Sequence, residues 1–277
     1  MVLHSAVPRL LALLPLCGLL ALPLRATTDP RQPPGTESHL YREVGTLSLR
    51  LYVSKPVGWK AGDRRPALVW FFGGGGKPAN GLGWANWATA LGLVAVTPDY
   101  REKTRFGTTR PEAVADARAA VHWIEDHAAE LGIDPRQIVV SGNSAGGCLA
   151  LWTAISHAPP GSDPTESPLL KPAALILTSA TSDTSKDTGY PDPAALSPVH
   201  QLDAKMPPML LFHGDADGSV PYQTAVALHD KLAATGNSCE LITIPQGAHN
   251  YGGLPGWWPR TLEIARWFLE DQKLITK

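Results

Sequence analysis

The fold is decided by the stretch Gln137-Ile138-Val139-Val140-Ser141-Gly142-Asn143-Ser144-Ala145-Gly146-Gly147. It begins as a short apolar run typical of a buried strand and continues into a helical pattern over residues 145–157. The glycines at 142 and 146 allow a sharp turn, because a side chain at either position would collide with its neighbours. Such a turn strains the backbone of Ser144 and exposes its hydroxyl. A plain tight turn is the alternative, but the strand before it and the helix after it favour Ser144 as a nucleophile.

Further apolar segments lie on both sides of this stretch. Strands are predicted at residues 46–53, 67–72, 92–96, 173–177, 209–212 and 240–244. The first alternates apolar and polar residues like a half-exposed edge strand, whereas the second is apolar throughout and needs cover on both faces. Pro111 is expected to open a helix. Strands that alternate with helices predict an α/β fold, a mostly parallel twisted sheet with helices on both faces.

The composition is that of one globular domain. The chain has 277 residues, of which 44% are hydrophobic and 18% charged, so it can form a single well-buried core. Its formal net charge is -1, which leaves no basic field to attract phosphate backbones or an anionic membrane. We therefore expect no nucleic-acid partner.

The first residues have the layout of a secretory signal peptide. An apolar run at residues 10–22 follows a basic residue, and Ala26 is a small residue at the expected cleavage point. The run is short for a bilayer span, which needs about 20 apolar residues. We predict a signal peptide at residues 1–26, a polar linker at 27–45 and one catalytic domain at 46–277. The product is then secreted or periplasmic, with no stable membrane insertion after cleavage.

Two cysteines, Cys148 and Cys239, follow the predicted cleavage point. Two cysteines do not form a disulfide scaffold, and their positions, one near Ser144 and one opening a strand, are typical of buried free thiols. We predict no disulfide.

A glycine run, Gly73-Gly74-Gly75-Gly76, follows the second predicted strand. This is where the backbone N–H groups of an oxyanion hole belong, since such groups stabilise the charge that develops on a carbonyl oxygen. We expect the donors to be the amides of Gly73, Gly74 and Ala145. A flexible turn is the alternative. A phosphate cradle fits less well, because the run is not followed by G-K-[ST].

A serine hydroxyl needs a base near neutral pH, and imidazole titrates in that range. His249 lies five residues beyond the last predicted strand, at the sheet edge where ligands bind. His213 closes the preceding strand and is expected to pack or to brace a loop. The acid that orients the imidazole should also follow a strand and precede the histidine in the chain. Asp217 and Asp215 both satisfy this condition, and Asp217 is favoured.

Together these motifs resemble the esterase and lipase families of the α/β-hydrolase fold, especially the hormone-sensitive-lipase-like and bacterial acetylxylan or feruloyl esterase-like groups. The resemblance covers residues 46–277 and rests on the glycine run, the Ser144 turn, Gly247-Ala248-His249 and His213-Gly214-Asp215-Ala216-Asp217-Gly218-Ser219-Val220-Pro221. In those families the second aspartate of the last pattern is the acid, which implies Asp217. Phe72 departs from the pattern, since a histidine usually braces the glycine loop there. Which glycine amides point inward is therefore left open.

The resemblance implies a serine carboxylesterase that requires no metal and no cofactor. A polar insertion at residues 181–203 is the expected partial lid over an open cleft, and Trp257 and Trp258 are candidate walls for a sugar or aryl group, unless they are core residues of the last helix. The expected substrates are acetyl or feruloyl esters of carbohydrates or other short-chain esters, as small molecules or on a polysaccharide. The alternatives are a prolyl-oligopeptidase-like serine peptidase and a non-catalytic binding protein on the same fold.

Overall fold

The computed structural model describes residues 32–161 and 168–276. The predicted signal peptide, residues 1–26, lies outside these residues, as does the first part of the predicted linker. Among the described helices, none combines the length and the apolar character that a membrane crossing requires.

A single sheet of eight strands runs through the described part of the chain. The strands are β1 (Glu37–Val44), β2 (Leu47–Ser54), β3 (Arg65–Phe71), β4 (Val94–Pro98), β5 (Ile133–Asn143), β6 (Ala174–Thr178), β7 (Met209–Gly214) and β8 (Cys239–Ile244). Their order across the sheet is β1-β2-β4-β3-β5-β6-β7-β8. β2 pairs antiparallel with β1 and β4, and all other neighbours are parallel.

The helices of the described residues connect these strands. They are α1 (Leu82–Ala90), α2 (Lys103–Phe106), α3 (Arg110–Asp126), α4 (Ala128–Leu131), α5 (Ala145–Ala154), α6 (Tyr222–Ala234) and α7 (Trp257–Asp271). Pro111 lies in the first turn of α3, as expected, and a capping box of Thr109 and Glu112 satisfies the amides there. α5 ends at Ala154, short of its predicted end, because the backbone N–H of Ser156 leaves the helical pattern and donates to Asp203 (2.9 Å).

The central strands are buried on both faces. Every residue of β4, β6 and β7 is buried, and so are Ala67 to Phe71 in β3. Successive side chains of a strand point to opposite faces, so these strands need helices on both sides. α1 and α5 both pack on β3, α3 packs on α5, and α6 packs on β7 and β8. The predicted α/β fold with a mostly parallel sheet is confirmed.

The predicted linker at residues 27–45 is wrong where it overlaps β1. Its polar sequence is that of an edge strand, which needs backbone pairing on one side only and exposes much of its surface. Tyr41 and Arg42 tie β1 to the domain, with the Tyr41 hydroxyl donating to the Asp99 carbonyl (2.6 Å) and Arg42 pairing with Asp116 (3.0 Å). β2 is therefore an inner strand with buried apolar residues, and not the edge strand that its alternation predicted.

At the turn from β5 into α5, main-chain atoms pack directly against other main-chain atoms. A Cβ atom added at Gly146 would overlap the carbonyl oxygens of Phe71 and Phe72, and one added at Gly142 would overlap the carbonyl group of Gly146. Neither neighbour is a flexible side chain that could move away. The glycines at these two positions are thus required by the space between β3, β5 and α5.

Gly146→Ala should therefore lower the free energy of unfolding by more than about 2 kcal/mol, because the backbone of β3 must shift to admit the methyl group. Urea denaturation measures this change. Gly218→Ala is the matched control, since a Cβ at Gly218 meets no atom within 4 Å, and it should stay within about 1 kcal/mol of wild type. Equal unfolding free energies for the two variants would contradict the packing argument.

Candidate active site

Ser144 lies between β5 and α5 in a strained backbone conformation. Its φ is 53° and its ψ is -119°, a region that non-glycine residues rarely occupy. Hydrogen bonds on both sides hold it there. The Ser144 N–H donates to the Thr178 carbonyl (3.0 Å), and its carbonyl accepts from the N–H groups of Gly147 and Thr181 (3.0 Å each). The strain is thus imposed by the surrounding backbone.

The glycine loop after β3 lies against this serine. A Cβ added at Gly73 would come within 3.3 Å of the Ser144 Cβ. The Gly75 N–H donates to Glu102 (3.2 Å) and the Gly76 N–H to the Gly73 carbonyl (3.0 Å). Among the described residues, by contrast, the N–H groups of Gly73, Gly74 and Ala145 have no acceptor. These three are the amides expected to form the oxyanion hole, and they remain available for an anionic oxygen.

Phe72 takes the place of the histidine that usually braces this loop. Its buried ring stacks on Tyr100 with 4.2 Å between ring centroids, and the Tyr100 hydroxyl donates to the Phe72 carbonyl (2.7 Å). The guanidinium of Arg105 lies 5.1 Å from the Phe72 ring centroid. An aromatic stack and one hydroxyl therefore hold the entry to the loop without an imidazole.

Glu102 holds the far side of the loop. Its buried carboxylate accepts the N–H groups of Gly75, Thr104 and Arg105 and pairs with the Arg105 guanidinium (3.2 Å). Burial opposes its ionisation, but these hydrogen bonds outweigh that effect and lower the pKa of Glu102 below its usual value. The carboxylate stays charged near neutral pH and keeps the Gly75 amide occupied.

Asp217, which follows β7, and His249, which follows β8, lie next to each other. His249 Nδ1 lies 2.8 Å from Asp217 Oδ2, while Asp217 Oδ1 accepts the N–H groups of Ser219 (2.8 Å) and Val220 (2.9 Å). Burial raises the pKa of Asp217, but the hydrogen bonds from Val220, His249 and Ser219 outweigh it and the net pKa is lowered. An ionised acceptor at Nδ1 leaves Nε2 of the ring for a proton partner.

Asp215 and His213, the alternatives to Asp217 and His249 in the sequence, make other contacts. Asp215 accepts the N–H of Gln246 (2.6 Å) and so fixes the loop that carries His249. His213 is buried, with Nε2 2.9 Å from the Val220 carbonyl and 3.2 Å from Asp217 Oδ2. Burial lowers the pKa of His213, so this ring stays neutral and braces the Asp217 loop.

Two cavities are lined by residues adjacent to Ser144 in the chain. The first, called the His249 cavity, has a volume of about 470 Å³ and is lined by Trp70, Gly73 to Gly76, Asn80, Trp84, Asn143, Thr178, His249 to Gly253 and Trp258. The second, called the Arg110 cavity, has a volume of about 290 Å³ and is lined by Gly74, Tyr100, Glu102 to Thr104, Thr108 to Arg110, Ala113, Ala145, Cys148, Leu149, Thr181 and Tyr190.

The chain neighbours of Ser144 divide between these cavities. Gly74 borders both, Asn143 borders the first, and Ala145 borders the second. The Ser144 hydroxyl makes no hydrogen bond to His249 or to any other described residue. Catalytic hydrogen bonds are often long in unliganded enzymes and tighten only around substrate. His249 lines the same cavity as Asn143, the residue that precedes Ser144.

Trp258 lines the His249 cavity, whereas Trp257 does not. Trp258 packs edge-on against Trp84 of α1, with 5.5 Å between ring centroids. Trp257 is partly buried against the core, and the Arg260 guanidinium carbon lies 5.1 Å from the centroid of its ring. Of the two tryptophans, only Trp258 borders this cavity.

The insertion predicted as a partial lid contributes to the Arg110 cavity. The Tyr190 hydroxyl accepts the N–H of Arg110 (3.1 Å), and the Asp187 carboxylate pairs with the Arg110 guanidinium. Thr184 and Ser197 hold the insertion together through an N–H to hydroxyl bond of 2.9 Å. This segment therefore closes one wall of the smaller cavity.

Several site residues escaped the sequence analysis. Tyr100 and Glu102 follow β4 directly, so the rule that chemistry follows parallel strands could have found them. Trp70 was part of a predicted buried strand, and Arg110 and Trp84 were not singled out. Cys148 is buried and Cys239 half-buried, both as free thiols. Within residues 32–161 and 168–276, no three histidine, cysteine, aspartate or glutamate side chains are grouped to hold a metal ion.

Comparison with known protein families gives two matches. A family model described as the alpha/beta hydrolase fold matches residues 69–198, and one described as the prolyl oligopeptidase family matches residues 173–270. Among curated proteins, the carboxylesterase NlhH of Mycobacterium tuberculosis is 31% identical over 216 residues, which cover 68% of this chain and 67% of the relative. The chain spans about half or less of the length of three other curated relatives, among them lipase 2 of Moraxella sp., to which it is 30% identical over 73% of this chain.

Solved structures give a closer structural match. Esterase 2 of the planctomycete Thermogutta terrifontis is 36% identical, with a TM-score of 0.81 over 88% of this chain and 94% of the esterase. The form of that esterase phosphoramylated by tabun is also 36% identical, with a TM-score of 0.83 over 89% of this chain and 98% of the other. The chain therefore belongs to the esterases and lipases of the α/β-hydrolase fold, as its motifs implied.

Proposed function

We propose that this protein hydrolyses carboxylic esters through an acyl-enzyme, with Ser144 as nucleophile, His249 as base and Asp217 as the acid that orients the base. The observation that carries the proposal is the placement of the strained Ser144 beside three backbone amides without acceptors, at the border of the cavity that His249 lines. A strained serine with available N–H donors is the arrangement that acyl transfer requires.

In the first half of the reaction, Ser144 Oγ attacks the ester carbonyl while His249 takes its proton. The carbonyl oxygen becomes an oxyanion, which accepts hydrogen bonds from Gly73, Gly74 and Ala145. Asp217 stabilises the imidazolium, and His249 then protonates the departing alcohol. In the second half, water attacks the acyl-enzyme by the same route, and the acid and free Ser144 are released.

The His249 cavity suggests a polyhydroxylated alcohol. Its walls combine the rings of Trp84 and Trp258 with the amide side chains of Asn80 and Asn143, and the buried indole N–H of Trp70 lacks an acceptor among the described residues. Apolar faces with a few placed polar groups suit sugar rings. These features support acetyl or feruloyl esters of carbohydrates, on polysaccharide or small molecules, as substrates. Export through the predicted signal peptide would bring the enzyme to them.

Ser144→Ala should abolish turnover of short p-nitrophenyl esters and labelling by a fluorophosphonate probe, while the melting temperature stays within a few degrees of wild type. An activated serine reacts with such probes, and a non-catalytic binding protein does not. Esterase 2 of T. terrifontis is phosphorylated by paraoxon, so the reagent class suits this architecture. Retained labelling in the variant would refute Ser144 as nucleophile, and peptide cleavage in place of ester cleavage would favour the peptidase alternative.

Asp217→Asn should reduce kcat roughly 10⁴-fold, because the amide cannot stabilise the imidazolium or hold its tautomer. Asp215→Asn is the matched control: it keeps an oxygen to accept the Gln246 N–H and should cost less than about tenfold. The comparison uses steady-state kinetics on p-nitrophenyl acetate. Similar losses in both variants would mean that the loop as a whole, and not the Asp217 carboxylate, supports His249.

Trp70→Phe should lower kcat/KM for acetylated xylo-oligosaccharide relative to kcat/KM for ethyl acetate. The ratio of the two values should fall about fivefold, because one hydrogen bond to the sugar is lost. Trp87→Phe is the control, since Trp87 packs on Trp84 at 5.4 Å between centroids and lines neither cavity. An unchanged ratio in Trp70→Phe would remove the indole from sugar recognition, and absence of any activity on the oligosaccharide would remove the carbohydrate proposal.

A further inference from the structure

Two residues that line the Arg110 cavity each have a polar side-chain atom without a hydrogen-bond partner within the described chain. These atoms are Nη1 of Arg110 and Oγ1 of Thr108, and both are buried. A buried donor without an acceptor is costly, and folded proteins contain few of them. Two such atoms on residues that line one cavity beside a nucleophile indicate that an acceptor arrives there with the substrate.

The remaining contacts of Arg110 fix its position but leave Nη1 without an acceptor. Nη2 pairs with the Asp187 carboxylate, and the guanidinium carbon lies 5.4 Å from the centroid of the Tyr190 ring. Of the other charged residues on this wall, Glu102 is engaged by Arg105, and Lys103 is exposed. Since Asp187 already balances much of the guanidinium charge, the missing partner is an oxygen acceptor, neutral or anionic.

Within residues 32–161 and 168–276, no neighbouring group supplies this acceptor. Cys148 stands on the same wall, one helical turn after Ser144. Burial raises the pKa of its thiol to about 11, so near neutral pH it carries no negative charge for the guanidinium to pair with. The Thr108 hydroxyl can itself donate to the same incoming oxygen.

The reaction assigns the two cavities to the two halves of an ester, an assignment that rests on the proposed function. His249 must protonate the leaving oxygen, so the alcohol lies in the cavity that His249 lines. The acyl chain then lies in the other cavity, which begins at the amides of Gly74 and Ala145. Arg110 and Thr108 therefore face the acyl chain beyond its carbonyl carbon.

We propose that, among acyl groups longer than acetyl, the Arg110 cavity selects those that carry an oxygen acceptor, such as an oxo group or a terminal carboxylate, a few atoms beyond the ester carbonyl. Arg110 Nη1 and the Thr108 hydroxyl donate to that oxygen. The volume of about 290 Å³ restricts the chain to a short one.

Three p-nitrophenyl esters with the same five-carbon acyl chain test the proposal: pentanoate, 4-oxopentanoate and hemiglutarate. Rates are corrected for hydrolysis without enzyme. For the wild-type protein, kcat/KM for at least one oxygenated ester should exceed that for pentanoate about tenfold, the effect of one hydrogen bond from a charged donor. The two oxygenated esters distinguish a neutral acceptor from a carboxylate.

The ratio of each oxygenated ester to pentanoate is then measured in variants, so that every variant is its own reference. Arg110→Met should bring the ratio close to one, and Thr108→Val should lower it about threefold. Lys103→Met removes a positive charge from the rim of the same cavity and should change the ratio less than twofold. Because Arg110 also pairs with Asp187, melting temperatures are recorded, and Thr108→Val decides the matter if Arg110→Met does not fold.

Equal kcat/KM for all three esters in the wild type would overturn the proposal while leaving ester hydrolysis intact. A preference that survives in both Arg110→Met and Thr108→Val would overturn it as well. A ratio that falls as much in Lys103→Met as in Arg110→Met would show general electrostatic attraction instead of a directed hydrogen bond. Absence of turnover on every ester would refute the proposed function, and this inference with it.

Discussion

The close approach of α5 to the end of β3 is the constraint on which the site depends. At Gly146 the helix backbone lies directly against the carbonyl groups of Phe71 and Phe72, with no side chain between them. This contact sets the angle at which β5 turns into α5, and so it holds Ser144 at a φ of 53°. It also brings the glycine loop against Ser144. The spacing between hydroxyl and amides is thus determined by backbone packing, which tolerates less variation than contacts between side chains.

A second set of contacts decides which amides of the loop are available. Tyr100 binds the carbonyl of Phe72 and Glu102 binds the N–H of Gly75. The loop is fixed at both ends, and the amides of Gly73 and Gly74 are left between them. The single guanidinium of Arg105 pairs with both carboxylates, those of Glu102 and Asp99. The absence of a histidine at position 72 is thereby offset by residues that follow the neighbouring strand β4.

Much of this could be predicted from the sequence, because local patterns report what backbone geometry requires. The apolar runs of β3, β5, β6 and β7 and the glycines around Ser144 reflect burial and space, which depend on near neighbours in the chain. β1 was mistaken for a linker since an edge strand needs few apolar residues, and its pairing with β2 is a tertiary contact. Arg110 was missed for a similar reason, because its partners Asp187 and Tyr190 are distant in sequence. The sequence pattern already favoured Asp217 over Asp215, and in the structure Asp217 Oδ2 lies 2.8 Å from His249 Nδ1.

The carboxylate of Glu102 binds both α2 and the glycine loop. This double role affects how the protein could be re-engineered. It accepts the first N–H groups of α2 as well as the Gly75 amide, and α2 supplies Lys103 and Thr104 to the Arg110 cavity. Remodelling α2 to enlarge the Arg110 cavity would disturb the glycine loop, because the Glu102 side chain binds both. Tyr190 reaches the same cavity from the separate insertion at residues 181–203 and makes no contact with Glu102 among the described hydrogen bonds. Directed evolution of the Arg110 cavity should therefore diversify the Tyr190 segment and keep α2 constant.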